Sequence, residues 1–103
     1  MRIYENLLDG ATVIKCKSFK DIKDLFKQLS SLGFAFPNGA LNADLHYQEY
    51  GPYKAFRLLR DKTVMLTSVD HAKSNKHRII KYKAGDSITR KRSNDLILIK
   101  GRD

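Results

Sequence analysis

The stretch SFKDIKDLFKQLSSLG, Ser18 to Gly33, decides the fold. Ser18 is a helix N-cap residue type, and Asp21 three positions on supplies a short capping-box partner and a negative charge at the positive end of the helix. Apolar residues at Phe19, Ile22, Leu25, Phe26, Leu29 and Leu32 recur at helical spacing and make one continuous stripe. Gly33 suits the left-handed conformation just past the last turn, with Phe34 folding back on Leu29. The pattern predicts one amphipathic helix over 18–33. Its other face, Lys20, Lys23, Asp24, Lys27 and Gln28, reads as solvated surface and holds no catalytic arrangement.

Such a stripe needs an apolar face to lie on, and the flanking segments supply strands. Upstream, Thr12, Val13 and Ile14 followed by alternating Lys15, Cys16 and Lys17 read as a strand over 11–17 with Ile14 and Cys16 on the core side. Residues 1–10 hold Ile3, Tyr4, Leu7 and Leu8 and read equally as a short helical turn or a leading strand. Downstream, Phe34–Phe36 ends at the turn signal Pro37-Asn38-Gly39. Residues 37–52 show no periodicity and read as a long loop, of the kind more often functional than idle. Residues 53–60 alternate as a strand, Asp61-Lys62 forms a two-residue connection, and 63–69 return as its hairpin partner. A polar break over 70–76 leads to a strand at 77–83, a turn at Ala84-Gly85-Asp86, and a buried strand over Leu96–Ile99. The expected fold is α+β: a single domain of β-α-β followed by an antiparallel meander, with one main helix (18–33) packed on a four- or five-stranded sheet.

A chain of 103 residues is the size of one domain with one core, and 42% hydrophobic with 30% charged residues is a globular composition. No apolar run approaches the ~20 residues that span a bilayer, and no signal-peptide layout opens the sequence. A cytoplasmic protein is expected, with no membrane association. Cys16 is the only cysteine, so neither an intrachain disulfide nor a thiolate zinc site can form. No cofactor and no metal are expected.

The net charge of +9 is unevenly placed. Residues 1–50 carry six basic and six acidic side chains, whereas 51–103 carry fourteen and five, so the whole excess falls in the second half. A segregated positive field draws polyanions or an acidic protein surface; a surplus kept only for solubility would have the same composition. The cations concerned are Arg57, Arg60, Lys73, Lys76, Arg78, Lys81, Lys83, Arg90, Lys91 and Arg92. Tyr47, Tyr50 and Tyr53, at three-residue steps, offer either stacking surfaces for bases or half-buried cover for the core. No RNP pattern, GXXG loop or helix-turn-helix is present.

An enzyme would have to be assembled from the histidines. His46, His71 and His77 lack metal-ligand spacing, and the glycines form neither a P-loop nor a dinucleotide fingerprint. The alternative reading is a metal-independent ribonuclease, with His46 or His77 as general base and Arg57, Arg60 or Lys62 stabilising the phosphorane. A third possibility is a sponge for an anionic nucleotide signal, with Arg and Tyr groups clamping phosphates and base.

The order of elements resembles that of a known group. A strand Val13-Ile14-Lys15-Cys16, a helix ending Leu29-Ser30-Ser31-Leu32-Gly33-Phe34, a polar insertion, a hairpin and then His77-Arg78-Ile79-Ile80-Lys81-Tyr82 is similar to small accessory proteins of tailed bacteriophages. The similarity covers roughly residues 11–88. It implies an anti-defence or host-takeover factor that binds and disables a host component, and it carries over no site residues. The expectation from sequence is a non-enzymatic basic binding protein, an inhibitor docking through its C-terminal half on nucleic acid or on an acidic, nucleic-acid-handling host protein. A homodimer through an exposed edge strand is a further expectation.

Overall fold

The computed structural model describes residues 2–50, 55–91 and 95–101, without the side chains of 47, 49 and 50. The 18–33 stretch folds as read. Helix α1 spans Phe19–Ser31, and the Ser18 hydroxyl accepts the Asp21 amide at 3.3 Å. Past its end Gly33 takes φ +90°, and the Phe34 N–H returns to the Leu29 carbonyl at 2.9 Å, closing a Schellman turn.

Ahead of α1 lie β1 (Ile3–Tyr4) and β2 (Thr12–Cys16); after it come α2 (Ala43–Tyr50), β3 (Ala55–Leu58), β4 (Val64–Thr67), α3 (Val69–Ser74), β5 (Arg78–Tyr82), β6 (Ser87–Lys91) and β7 (Asp95–Ile99). The α+β class therefore stands. The arrangement of strands differs from the single sheet expected: the order is β4-β3-β2-β5 in one sheet and β1-β7-β6 in a second. The hairpin β3–β4 is present, but its loop is the three residues Arg60, Asp61 and Lys62, closed by Leu59 N–H to the Thr63 carbonyl at 2.9 Å, with Lys62 left-handed at φ +69°. The meander does not continue past it. Helix α3 carries the chain back across the sheet, so β5 enters on the far side of β2 and pairs with it in parallel, Val13 opposite Ile79 and Lys15 opposite Lys81.

Both short helices replace segments read as loop or polar break. In α2 the Asn42 side chain caps the Leu45 amide at 3.1 Å, and among the described side chains the buried one is His46, with Ala43 partly buried against the same core. Its ring is 2% exposed and sits 5.5 Å from Phe26, 6.1 Å from Phe36 and 5.3 Å from Phe56, centroid to centroid. In α3 the Ser68 hydroxyl caps the His71 amide at 3.0 Å, and buried Ala72 seats on Val13 and Ala55 with Val69 and Ile79 around them. The four-stranded sheet is thus covered on both faces.

The larger core joins the α1 stripe, the inner side chains of β2, β3 and β5, and Ile88, Leu96 and Leu98 of the second sheet, with Leu7 and Leu8 of the leading segment. Asp86 ties the sheets at one corner. Its buried carboxylate accepts the Lys83 amide at 2.8 Å, the Gly101 amide at 2.7 Å and the Lys100 ammonium. A Cβ at Gly101 would lie 2.7 Å from the Gly85 carbonyl, so the close approach of these two segments requires glycine.

Candidate functional site

At the carboxyl ends of β2 and β5 the two parallel strands open into a cleft of about 470 Å3 lined by Lys15, Lys17, Lys81, Lys83, Lys100, Asp21 and Tyr82. The alternation of each strand builds it. Lys15 and Lys81 are register partners and so project from the same face, and Lys17 and Lys83, just past the ends of the two strands, also line the cleft. Helix α1 begins directly beyond, at Ser18. Crevices outside the carboxyl ends of parallel strands are where open α/β sheets take their ligands.

Among the described residues five lysines stand here with the carboxylates of Asp21 and Asp86. Asp86 is committed to Lys100, and Asp21 accepts the Ala84 amide at 2.9 Å. Desolvation would raise both carboxyls, but it is outweighed by hydrogen bonds, from the Ala84 amide and Ser18 at Asp21 and from the Gly101 amide and Lys100 at Asp86, and both sit below the ordinary carboxylate range. Among the described residues Lys15, Lys81 and Lys83 have no ion-pair partner. The one aromatic residue on the lining, Tyr82, is 2% exposed, and its hydroxyl is taken by Asp24 and Gln28. Among the described residues no ring is offered to a base. What the cleft presents is positive charge in two rows.

The remaining cations expected at a site are dispersed or engaged. Arg78 donates to the Glu5 carbonyl at 2.6 Å and to the Thr12 hydroxyl at 3.0 Å, fastening the leading segment to the sheet. Lys91 pairs with Glu5 at 2.9 Å, and Arg90 donates to the Leu32 carbonyl at 3.1 Å. Arg60 lies in the β3–β4 turn, at the opposite end of the sheet from the cleft, and Lys73 and Lys76 lie where α3 returns toward the start of β5. Arg57 is half-buried on the α3 face with its Nε sealed from solvent and unpartnered. Arg92 and Tyr53 lie outside the described residues, and the backbones of Tyr47 and Tyr50 belong to α2.

Among the described residues only Lys81 and Lys83 of the cations read from the sequence are therefore brought together at the cleft, and their partners Lys15, Lys17 and Lys100 were not singled out. The signal for the first two was present: Lys15 and Lys17 alternate along their strand as Lys81 and Lys83 do along theirs. The pairing that aligns the rows is a crossover, which alternation alone does not reveal.

His46, enclosed by three phenylalanine rings, is not placed as a solvent-facing base. His71 and His77 meet edge to face at 6.3 Å, with His77 Nδ1 buried and unpartnered. Among the described residues no group of three or more His, Cys, Asp or Glu side chains is placed to hold a metal ion, and no helix is long and apolar enough to cross a membrane. A larger groove of about 820 Å3 between residues 36–42, α2 and β4 has no charged side chain on its lining. No family model, curated protein or solved structure matches the chain.

Proposed function

We propose that this chain is a non-enzymatic binding protein that takes nucleic acid by its phosphate backbone, through the lysine rows of β2 and β5. The observation that carries the reading is the register of Lys15 beside Lys81. Like charges directly opposite each other in a sheet are unfavourable, by up to about 1 kcal/mol relative to a neutral pair. Neither ammonium has an ion-pair partner among the described residues, and an anion lying across the couple converts the repulsion into attraction. With no ring exposed on the cleft among the described residues, recognition rests on phosphate and is insensitive to base sequence.

The resemblance to tailed-phage accessory proteins adds a setting to this proposal, in which the bound nucleic acid or its host handling machinery is the target being disabled. A homodimer remains part of that proposal. The enzyme alternative finds less support, since His46 is packed among phenylalanines and the arginines and lysine named beside it are spread along the β3–β4 hairpin.

The reading is tested by mobility shift of a short single-stranded RNA and its DNA equivalent, with the chain and with its Lys15→Thr/Lys81→Thr variant. Binding by the chain and a loss of about tenfold or more in the variant supports it, each displaced ammonium contributing on the order of 1 kcal/mol. Binding by the chain that is unchanged in the variant rejects the lysine rows as the site, and no binding even at low salt removes nucleic acid from the account and leaves an acidic protein surface as the partner.

A further inference from the structure

Among the described residues β1, β4, β5 and β6 are the edges of the two sheets, and β4 is kept differently from the others. β5 carries Arg78 and Lys81, and the Lys81 carbonyl is taken by the Lys100 ammonium at 2.9 Å. β6 carries Arg90 and Lys91, and its Ile88 amide donates to Gln28 Oε1 at 2.7 Å. β1 is two residues long. Charge, cover and shortness are the usual means of keeping a sheet edge from pairing. β4, Val64–Thr67, bears no charged residue.

The β4 edge is also where the chain starts a further strand and abandons it. Ala35 lies beside Thr63 as a parallel bridge, donating its N–H to the Lys62 carbonyl at 3.0 Å and accepting the Val64 N–H at 2.9 Å. The next bond of a parallel ladder would run from the amide of residue 37 to the Val64 carbonyl, and residue 37 is proline, with no N–H to give. The ladder ends there. Because the Thr63 carbonyl accepts the Leu59 N–H, alternation turns Thr63, Met65 and Thr67 toward β3 and Val64 and Leu66 outward. The Val64 carbonyl and both backbone groups of Leu66 stand on the open side, without a partner among the described residues.

Beside them runs the groove of about 820 Å3 between residues 36–42, α2 and β4. Its described lining is uncharged and includes two exposed large apolar side chains, Leu45 at 59% and Met65 at 41%. An open backbone edge flanked by apolar side chains is matched by another extended backbone. Two observations favour a lone segment over the edge of a second copy. Residues 37–40 give the groove a second wall, which a single strand passes and a whole sheet would meet. Each copy of the chain also brings a net charge of +9 to such a contact.

We infer that β4 is the docking edge for an extended, uncharged peptide segment of a protein partner, which takes up the ladder where Pro37 ends it and bonds the Val64 carbonyl and both backbone groups of Leu66. Its side chains alternate between Leu66, on the α1 side of the sheet, and Met65 on the other. β-branched and aromatic residues suit both positions. This edge is separate from the lysine rows and does not depend on what they bind.

The test is selection of short linear peptides from a displayed random library on the whole chain, followed by fluorescence polarisation of the enriched peptide carrying a label. The expected result is an uncharged peptide rich in β-branched and aromatic residues. Its binding should weaken about tenfold with Met65→Lys, which sets an ammonium on the edge, and should be unchanged with Lys15→Thr/Lys81→Thr. N-methylation of the peptide backbone should abolish binding at alternate positions only, the period of a strand ladder. Hydrogen exchange at the Leu66 amide should slow in the complex. Should Met65→Lys prove unfolded by circular dichroism, the N-methyl scan and the Leu66 exchange decide the matter on the unaltered chain. Enrichment of acidic peptides whose binding is lost in the lysine variant would place the protein contact at the cleft and overturn the β4 edge. So would an absence of enrichment, N-methyl losses without a period of two, or protection of Leu66 by concentration-dependent self-association without any peptide, which would seat a second copy there.

Discussion

Lys15 on β2 stands directly beside Lys81 on β5, in register on parallel strands and with no carboxylate paired to either among the described residues. A sheet optimised for stability alone would place a neutral or opposite-charge pair there. The repulsion is tolerated where the two strands open into the lysine-lined cleft.

That arrangement predicts a trade between stability and binding. Lys15→Thr puts a β-branched residue into the strand and removes the repulsion, so denaturant unfolding should show a gain of about 0.5 kcal/mol. Polyanion binding by the same variant should weaken. A variant that loses stability would mean the ammonium pair supports the fold.

The corner at Asp86 is the structural counterweight to the lysines. Asp86→Ala strands the Lys83 and Gly101 amides and the Lys100 ammonium, and should cost about 3 kcal/mol in the same unfolding measurement. The acid limb follows from the direction of the shifts. Asp86 and Asp21 have carboxyls lowered in the fold, so their contribution is complete above the ordinary carboxylate value near 3.9 and is lost as pH falls through their lower folded values. Stability should therefore decline below about pH 4. The decline should be shallower in Asp86→Asn.

Tyr82 should govern the alkaline limb. Burial first, then the hydrogen bond to Asp24, raises its phenol well above the ordinary value, so the neutral form is the one the fold holds. Stability from this group is complete below about pH 10 and is lost as pH rises beyond it. Ultraviolet titration should show Tyr82 ionising only with unfolding. Tyr82→Phe, which also releases Gln28 from one of its partners, should cost about 1 to 2 kcal/mol and remove that step.

At the end of α1, Gly33 at φ +90° takes a conformation that a side chain makes costly, and a Cβ there would also press on the Lys62 side chain at 3.3 Å. Gly33→Ala should destabilise by about 1 kcal/mol by thermal or denaturant unfolding, with the fold retained.

How much of this was legible in the sequence depends on how local the cause is. Helix α1 could be read to its caps, because Ser18, the apolar stripe and Gly33 act within a few residues of one another. The α3 helix could not, because its six residues bury one alanine and its signal is a single Ser68 cap. Helix α2 was hidden by chemistry rather than length: among its described side chains the one fully buried is His46, which an apolar pattern passes over. The division into two sheets rests on the α3 crossover and on Asp86 reaching Gly101, contacts between residues far apart in the chain. The same holds for the cleft. Charge counting directed attention to the second half, whereas the rows join Lys81 and Lys83 to Lys15 and Lys17 from a half with no net charge.

The most direct test of the central claim is fluorescence polarisation of a labelled single-stranded RNA across a salt series, with three proteins: the chain, Lys15→Glu/Lys81→Glu, and Lys23→Glu/Lys27→Glu on the exposed face of α1. The two variants carry the same charge change. The account predicts a slope of log affinity against log salt of about −2 for the chain, corresponding to some three phosphates engaged. It predicts that this slope and most of the affinity vanish in the β2–β5 variant and persist in the α1 variant. Equal losses in both variants would show a response to net charge alone and would contradict a site at the lysine rows.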